Sequence, residues 1–122
     1  MYLVFDTETA GLPDYWDAPC TDFANWPRVV QIAWLLIDRD DHLLESASRI
    51  VRPDGFTIPL DAVRVHGITT EDALGRGMPL SSVLSEFLAA VQRSSMVVAH
   101  NMAFDGNVVA ADQPLHPYPA TM

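Results

Sequence analysis

The residues best suited to chemistry stand near the start of the chain, in M-Y-L-V-F-D-T-E-T-A-G-L-P (Met1 to Pro13). Tyr2 to Phe5 form a short apolar run, and Gly11 and Pro13 bound the segment beyond it, the pattern of a buried strand entering a loop. Asp6 and Glu8 fall where that strand should end. Residues two apart in extended chain point to one face, so the two carboxylates project together. Adjacent carboxylates repel, and burial sharpens the repulsion. A divalent cation with oxygen ligands, such as magnesium, is the simplest compensation. For an isolated D-x-E the alternative is a solvated acidic loop.

A third acid gives that pair company. Met96 to Ala99 read as another short apolar strand, and Phe104 to Ala111 as a helix with Asp105 near its start. Strand, helices, strand is the βαβ arrangement, which places this strand parallel to the first. Parallel strands present their carboxyl ends along one edge of an α/β sheet, where ligands bind. If the two strands are neighbours, about 4.8 Å apart, then Asp6, Glu8 and Asp105 meet in one small volume that suits a hard cation. The alternative is three surface acids that never meet.

The remaining elements supply the frame. Arg28 to Asp38 is the longest apolar run, β-rich at Val29, Val30, Ile32, Trp34 and Ile37. Asp38 to Asp41 reads as a turn, and Leu43 to Arg52 as the antiparallel partner, closed by Pro53-Asp54-Gly55. Pro59 to Val65 suggests a short helix ending at His66-Gly67. Thr69 or Thr70 caps the next one, with Glu71 and Asp72 in its first turn. Pro79 to Arg93 is the best helix, with Leu80, Val83, Leu84, Phe87, Leu88 and Val91 on one face. Residues 14 to 27 form an irregular loop whose Trp16, Phe23 and Trp26 either fold onto the core or form an exposed platform for stacking bases; packing is the favoured reading. For His100 the favoured reading is likewise core packing.

The 122 residues suffice for one small domain, taken as 1–122, with a real core. Apolar content of 49% with 19% charged residues describes an ordinary globular chain without a transmembrane-length run, so no membrane partner is expected. Cys20 is alone, so no internal disulfide forms and a cytoplasmic setting is expected; the residue reads as a loop thiol. The net charge of −9, from 7 basic and 16 acidic residues, argues against nucleic-acid binding by backbone electrostatics alone. It leaves room for an enzyme whose metal ions meet phosphates locally.

F-D-T-E-T-A-G-L (Phe5 to Leu12), V-H-G-I-T (Val65 to Thr69) and A-H-N-M-A-F-D (Ala99 to Asp105) resemble the successive motifs of the DEDD 3′–5′ exonucleases. Within these the chain is most similar to the DnaQ-like, His-type branch, relatives of the polymerase III epsilon proofreading subunit. P-R-V-V-Q-I-A-W (Pro27 to Trp34) resembles that group's second strand. The resemblance implies a ribonuclease H-like α/β fold: a mixed sheet, with an antiparallel hairpin and parallel strands, flanked by helices. It implies metal-dependent hydrolysis of phosphodiester bonds at single-stranded DNA or RNA 3′ ends. Asp6, Glu8 and Asp105 would be catalytic and would hold two Mg²⁺ or Mn²⁺ ions. Thr9 (through its backbone), Leu12, Val65 and His66 would seat the terminal nucleotide, and Asn101 and Phe104 would contact the strand near its end. For His66 a helix-end structural role stands equally open. A polymerase is a possible partner under this resemblance.

The family pattern also has a fourth carboxylate and, shortly before it, a histidine general base on a late helix. In that pattern the histidine stands five positions before the acid; counted from His116 the acid would fall at Thr121, and Pro114, Pro117 and Pro119 around it oppose a helix. The chain therefore reads as a domain lacking its last strand and helix. A missing general base typically costs about 10²–10⁴-fold in rate. A missing last strand would leave Met96 to Ala99 as an exposed edge open to self-association. Two alternatives to an active nuclease follow: a catalytically impaired remnant that binds metal, nucleotide or a partner, and an unrelated α/β module whose acids are structural.

Overall fold

The computed structural model describes residues 1–112. The elements run β1 (Tyr2–Thr9), β2 (Val29–Ile37), β3 (Leu43–Ile50), α1 (Leu60–His66), α2 (Thr70–Arg76), α3 (Leu80–Arg93), β4 (Met96–Ala99) and α4 (Met102–Asp112). They form one mixed four-stranded sheet in the order β3-β2-β1-β4. The long β2 run and its polar turn give the expected antiparallel partner β3, and β1 is antiparallel to β2 on the other side. β4 lies parallel to β1, Tyr2 opposite Met96 through Phe5 opposite Ala99. The parallel pairing anticipated for the first and last strands is thus present, and the fold is the ribonuclease H-like one. The late prolines and Thr121 lie outside the described residues.

One boundary differs in a way that matters for the site. The apolar run stops at Phe5, but β1 continues to Thr9 because β2 keeps pairing with it, Asp6 opposite Ala33 and Glu8 opposite Gln31. β4 ends beside Phe5. The last four residues of β1 therefore have a strand on one side only, and the start of α4 approaches on the other.

α3 closes one face of the sheet. Its Leu80, Val83, Leu84, Phe87 and Ala90 are buried, at the helical spacing read from the sequence. Phe87 is the centre of this layer, with ring centroids 5.0 Å from Phe5 and 5.5 Å from Trp34. Val108, Val109 and Ala111 of α4 join the same core. A smaller core gathers Val30, Ile58, Ala62, Ile68 and Ala73 around α1 and α2. These two short helices are set by their ends: Gly67 takes the left-handed conformation at φ 78° after α1, and the Thr69 side chain accepts from the Asp72 N–H at the start of α2. Pro59 precedes α1 as an extended N-cap residue. The opposite face stays open, with Leu35, Leu44, Met96 and Val98 exposed, and the outer side of β4 pairs with no strand among the described residues.

Two expectations about side chains are corrected. Of the loop aromatics only Trp26 packs into the core; Trp16 and Phe23 are each half exposed. The reason is that the loop is anchored from within, through Asn25 and Trp26, so the other rings need no burial. His100 is exposed, because β4 ends there and the chain turns outward before α4.

Candidate active site

β1 alternates strictly at its end. Thr7 and Thr9 are buried, while Asp6 is exposed and Glu8 half-buried. This is the two-residue period that puts both acids on one face. Asp105 arrives from the first turn of α4, whose N–H groups at Phe104 and Asp105 are taken by the Asn101 carbonyl at 3.0 and 2.8 Å. Its carboxylate is buried, and Oδ1 accepts both from the Thr7 peptide N–H at 3.2 Å and from the Thr7 hydroxyl at 2.5 Å. Thr7 lies between Asp6 and Glu8 in the chain, so the hydrogen bond fixes Asp105 at the strand segment that carries the other two acids.

The electrostatics of this rim are only partly compensated. Burial pushes the Glu8 carboxyl above the usual range; the nearby Asp6 charge adds to that, His66 offsets part of it, and Asp105 raises it further. Among the described residues, Asp105 Oδ1 is the one oxygen of the three carboxylates that accepts a hydrogen bond, and no basic side chain is ion-paired to any of them. Asp105 Oδ2 is thus a buried acceptor without a donor among the described residues. Hard oxygen donors close to one another and, Asp105 Oδ1 apart, without a hydrogen-bond donor among the described residues are the donor set a divalent cation fits. The oxygens do not close to a three-ligand cluster: among the described residues the trio with ligand atoms all within 4.8 Å of one another is Asp38, Asp40 and His42, at the β2–β3 turn.

Beside Glu8 lies a pocket of about 390 Å³. Five of the six expected nucleotide-contacting residues, Thr9, Leu12, Val65, His66 and Phe104, line it together with Glu8. The sixth, Asn101, does not; its backbone starts α4 and its side chain is exposed. His66 has the helix-end structural role and also lines the pocket. Its Nδ1 accepts from the Ile68 N–H at 3.0 Å, so Nε2 carries the proton and donates to the Thr9 carbonyl at 3.1 Å, while the ring forms pocket wall. The Thr9 carbonyl is therefore engaged by His66. Asp6 lies outside this pocket and lines a wider open groove across the sheet face with Arg49 and His100.

The sequence did not point to Asp61 and Ala62, which form the α1 side of the pocket; it offered Trp16 only among three loop aromatics, and the ring of Trp16 lies 5.5 Å from that of Phe104. Asp61 and Ala62 could have been found from helical spacing, since they stand four residues before Val65 and His66. Nothing in the sequence reports the Trp16 contact. Asp112 was also missed. It is buried at the end of α4, with Oδ1 2.8 Å from Arg28 Nε and Oδ2 accepting from the Val29 N–H at 2.9 Å, so it ties α4 to the start of β2.

Comparison with known proteins places this geometry. Exonuclease I of E. coli in complex with a dT13 oligonucleotide matches with a TM-score of 0.72 at 21% identity, over 89% of this chain and 22% of that one. The zinc-bound E. coli exonuclease I–ssDNA complex matches with the same score and identity, over 89% of this chain and 22% of that one. A complex of exonuclease I with the SSB C-terminal segment gives a TM-score of 0.79 at 21% identity, over 98% and 25%. The chain thus spans about a quarter of the length of these structures and shares their fold. No curated protein matches it. The RNase_T family model, described as exonuclease, matches residues 3–120, and the chain belongs to the RNase_T exonuclease family.

Proposed function

We propose that the chain is the core of a metal-dependent 3′–5′ exonuclease acting on single-stranded nucleic acid. The observation that carries this is the acidic rim, with a buried carboxylate oxygen that has no donor among the described residues, sharing Glu8 with an apolar pocket sized for one nucleoside. A phosphodiester is itself anionic and would be repelled by Asp6, Glu8 and Asp105 alone; divalent cations held by these acids remove that repulsion. Bound there, Mg²⁺ or Mn²⁺ ions would supply an activated water and charge neutralisation of the leaving oxygen.

The remaining roles fall to protein groups. Leu12, Val65 and Phe104 give the terminal base and sugar apolar walls. His66, locked by its two hydrogen bonds, holds the Thr9 carbonyl and keeps the pocket floor rigid. Glu8 belongs to both wall and rim, so a nucleotide seated in the pocket meets the acids at its phosphate end. The Thr7 hydroxyl and N–H orient Asp105. Two solved neighbours carry single-stranded DNA or an oligonucleotide, and one carries zinc, in keeping with this substrate and with a divalent ion.

The test is direction. A single strand labelled at its 5′ end, incubated with the protein and Mn²⁺, should yield a ladder shortening from the 3′ end, whereas a 3′ label should leave at once as mononucleotide. The reverse pattern, or internal cutting, would refute the assignment.

A further inference from the structure

The loop joining β1 to β2 is folded to display aromatic rings. Asn25 is buried and grips Tyr15 twice, Oδ1 accepting from its N–H at 2.7 Å and Nδ2 donating to its carbonyl at 2.9 Å. Trp26 is buried and donates from Nε1 to the Pro19 carbonyl at 3.0 Å. Main-chain bonds from Asp22 to Pro19 and from Asn25 to Asp22 complete the frame. On this frame Tyr15 and Trp16 are left 69% and 50% exposed, although large apolar rings gain most from burial. Trp16 is not loose: its ring rests against Phe104 at 5.5 Å and an interplanar angle of 43°. Phe104 in turn lines the nucleotide pocket, so the Trp16 surface continues the pocket wall outward.

The charge of the loop states what this surface can recognise. From Ala10 to Pro27 there is no Lys, Arg or His, while Asp14, Asp17 and Asp22 are acidic. A phosphate finds no partner here. The face of a nucleobase does, because stacking on an aromatic ring needs no countercharge and accepts any base.

We propose that Trp16, braced by Phe104 and flanked by Tyr15, is a stacking shelf for the base that precedes the terminal nucleotide of a single strand. The inference rests on the nuclease reading of the adjoining pocket. It deepens that reading by giving a source of single-strand preference: a base held in a duplex stack has no free face to offer.

The test measures binding with Ca²⁺ in place of Mg²⁺ or Mn²⁺, so that the acids carry a hard cation and do not repel the phosphates, with strand length followed to show that it stays intact, and with pentathymidylate and thymidine 5′-monophosphate as probes. Trp16→Ala should weaken pentathymidylate about tenfold or more and leave the mononucleotide within about twofold, while Trp16→Phe keeps most of the affinity. A pentathymidylate abasic at its second residue from the 3′ end should bind the unaltered protein as weakly as the intact strand binds Trp16→Ala, and should not distinguish the two proteins. The shelf is overturned, with the pocket left standing, if the unaltered protein binds pentathymidylate no tighter than the mononucleotide, or if Trp16→Ala binds both probes normally. It is overturned too if Trp16→Ala loses both probes equally, since Trp16 would then act by supporting Phe104. A change in sedimentation on Trp16→Ala with strand affinity intact would make the surface a protein contact and overturn the shelf. Failure of the unaltered protein to bind either probe would overturn the nuclease reading and the shelf with it.

Discussion

Acids gather at both ends of the two central strands, and the two groups are built in opposite ways. At the β2–β3 turn, Asp38 Oδ1 accepts from the N–H groups of Asp40 and His42 at 2.9 and 3.0 Å, and Oδ2 lies 3.4 Å from His42 Nδ1. These donors, the His42 N–H foremost, hold the Asp38 carboxyl below the usual carboxylate range. At the far rim Glu8 has no such donors among the described residues, and burial together with Asp6 pushes its carboxyl up. The turn has its ligand atoms closer together, yet its charge is already satisfied by the backbone it folds. Such an Asx-type turn explains itself without a ligand. The rim keeps like charges together, offset only in part by His66 and by the Thr7 donors to Asp105 and, among the described residues, by no ion pair, which leaves a place for a cationic counterpart. Unmet electrostatic demand, more than the proximity of ligand atoms, is the ground on which the proposed site is placed at the rim.

The most forceful way to break this contrast is to remove one acid from each end. Asp6→Ala should lower 3′-end hydrolysis by about 10³-fold or more, the scale of several kcal/mol of lost charge stabilisation at the reacting phosphate. Asp38→Asn should leave the rate unchanged. Equal effects, read from initial rates on a labelled strand, would erase the distinction between the two clusters.

A smaller effect separates holding a carboxylate from merely burying it. Thr7→Val deletes the hydroxyl donor to Asp105 and should cost roughly 1.5–3 kcal/mol, the range for a hydrogen bond to a charged group. Denaturant unfolding gives the cost, and Mn²⁺ affinity should fall in the same variant, because Asp105 is no longer oriented. Lost stability with unaltered Mn²⁺ affinity would make the Thr7–Asp105 contact structural only.

The smallest effects carry opposite signs at the two ends. Asp38 is depressed in the folded protein, so its contribution to stability is complete above its unfolded value of about 3.9 and is lost as pH falls through the folded one. Asp38→Asn should flatten the acid limb of a plot of stability against pH. Glu8 is raised, so its charge opposes folding at neutral pH, and that opposition is relieved as pH falls through its folded value. Glu8→Gln should therefore raise the thermal midpoint in EDTA. A lowered midpoint would mean that the Glu8 charge already has a partner.

Much of this arrangement is written locally and some of it is not. The period of two in β1, the helical stripe of α3 and the left-handed glycine after α1 are properties of short windows, and they read through. Pocket residues 53 or more positions apart, such as Leu12 and Val65, were reachable through the motif resemblance rather than through pattern. The extension of β1 through Asp6 to Thr9 was not legible, because a polar stretch becomes strand only when β2 is there to pair with it. Loop aromatics were the weakest point. Composition cannot say which ring is buried when one internal amide, that of Asn25, anchors the loop and frees Tyr15 and Trp16. His100 was misplaced because a histidine after an apolar strand looks the same whether the strand continues into the core or ends at its rim.

Paramagnetic broadening by Mn²⁺ asks most directly which acids grip the metal, without depending on turnover. Titrated into isotope-labelled protein, Mn²⁺ should first erase the amide signals of Asp6 to Thr9 and of Phe104 and Asp105, and spare those of Asp38 to His42. Broadening that begins at Asp38 to His42, or that persists unchanged at the rim in Asp6→Ala, would contradict the account.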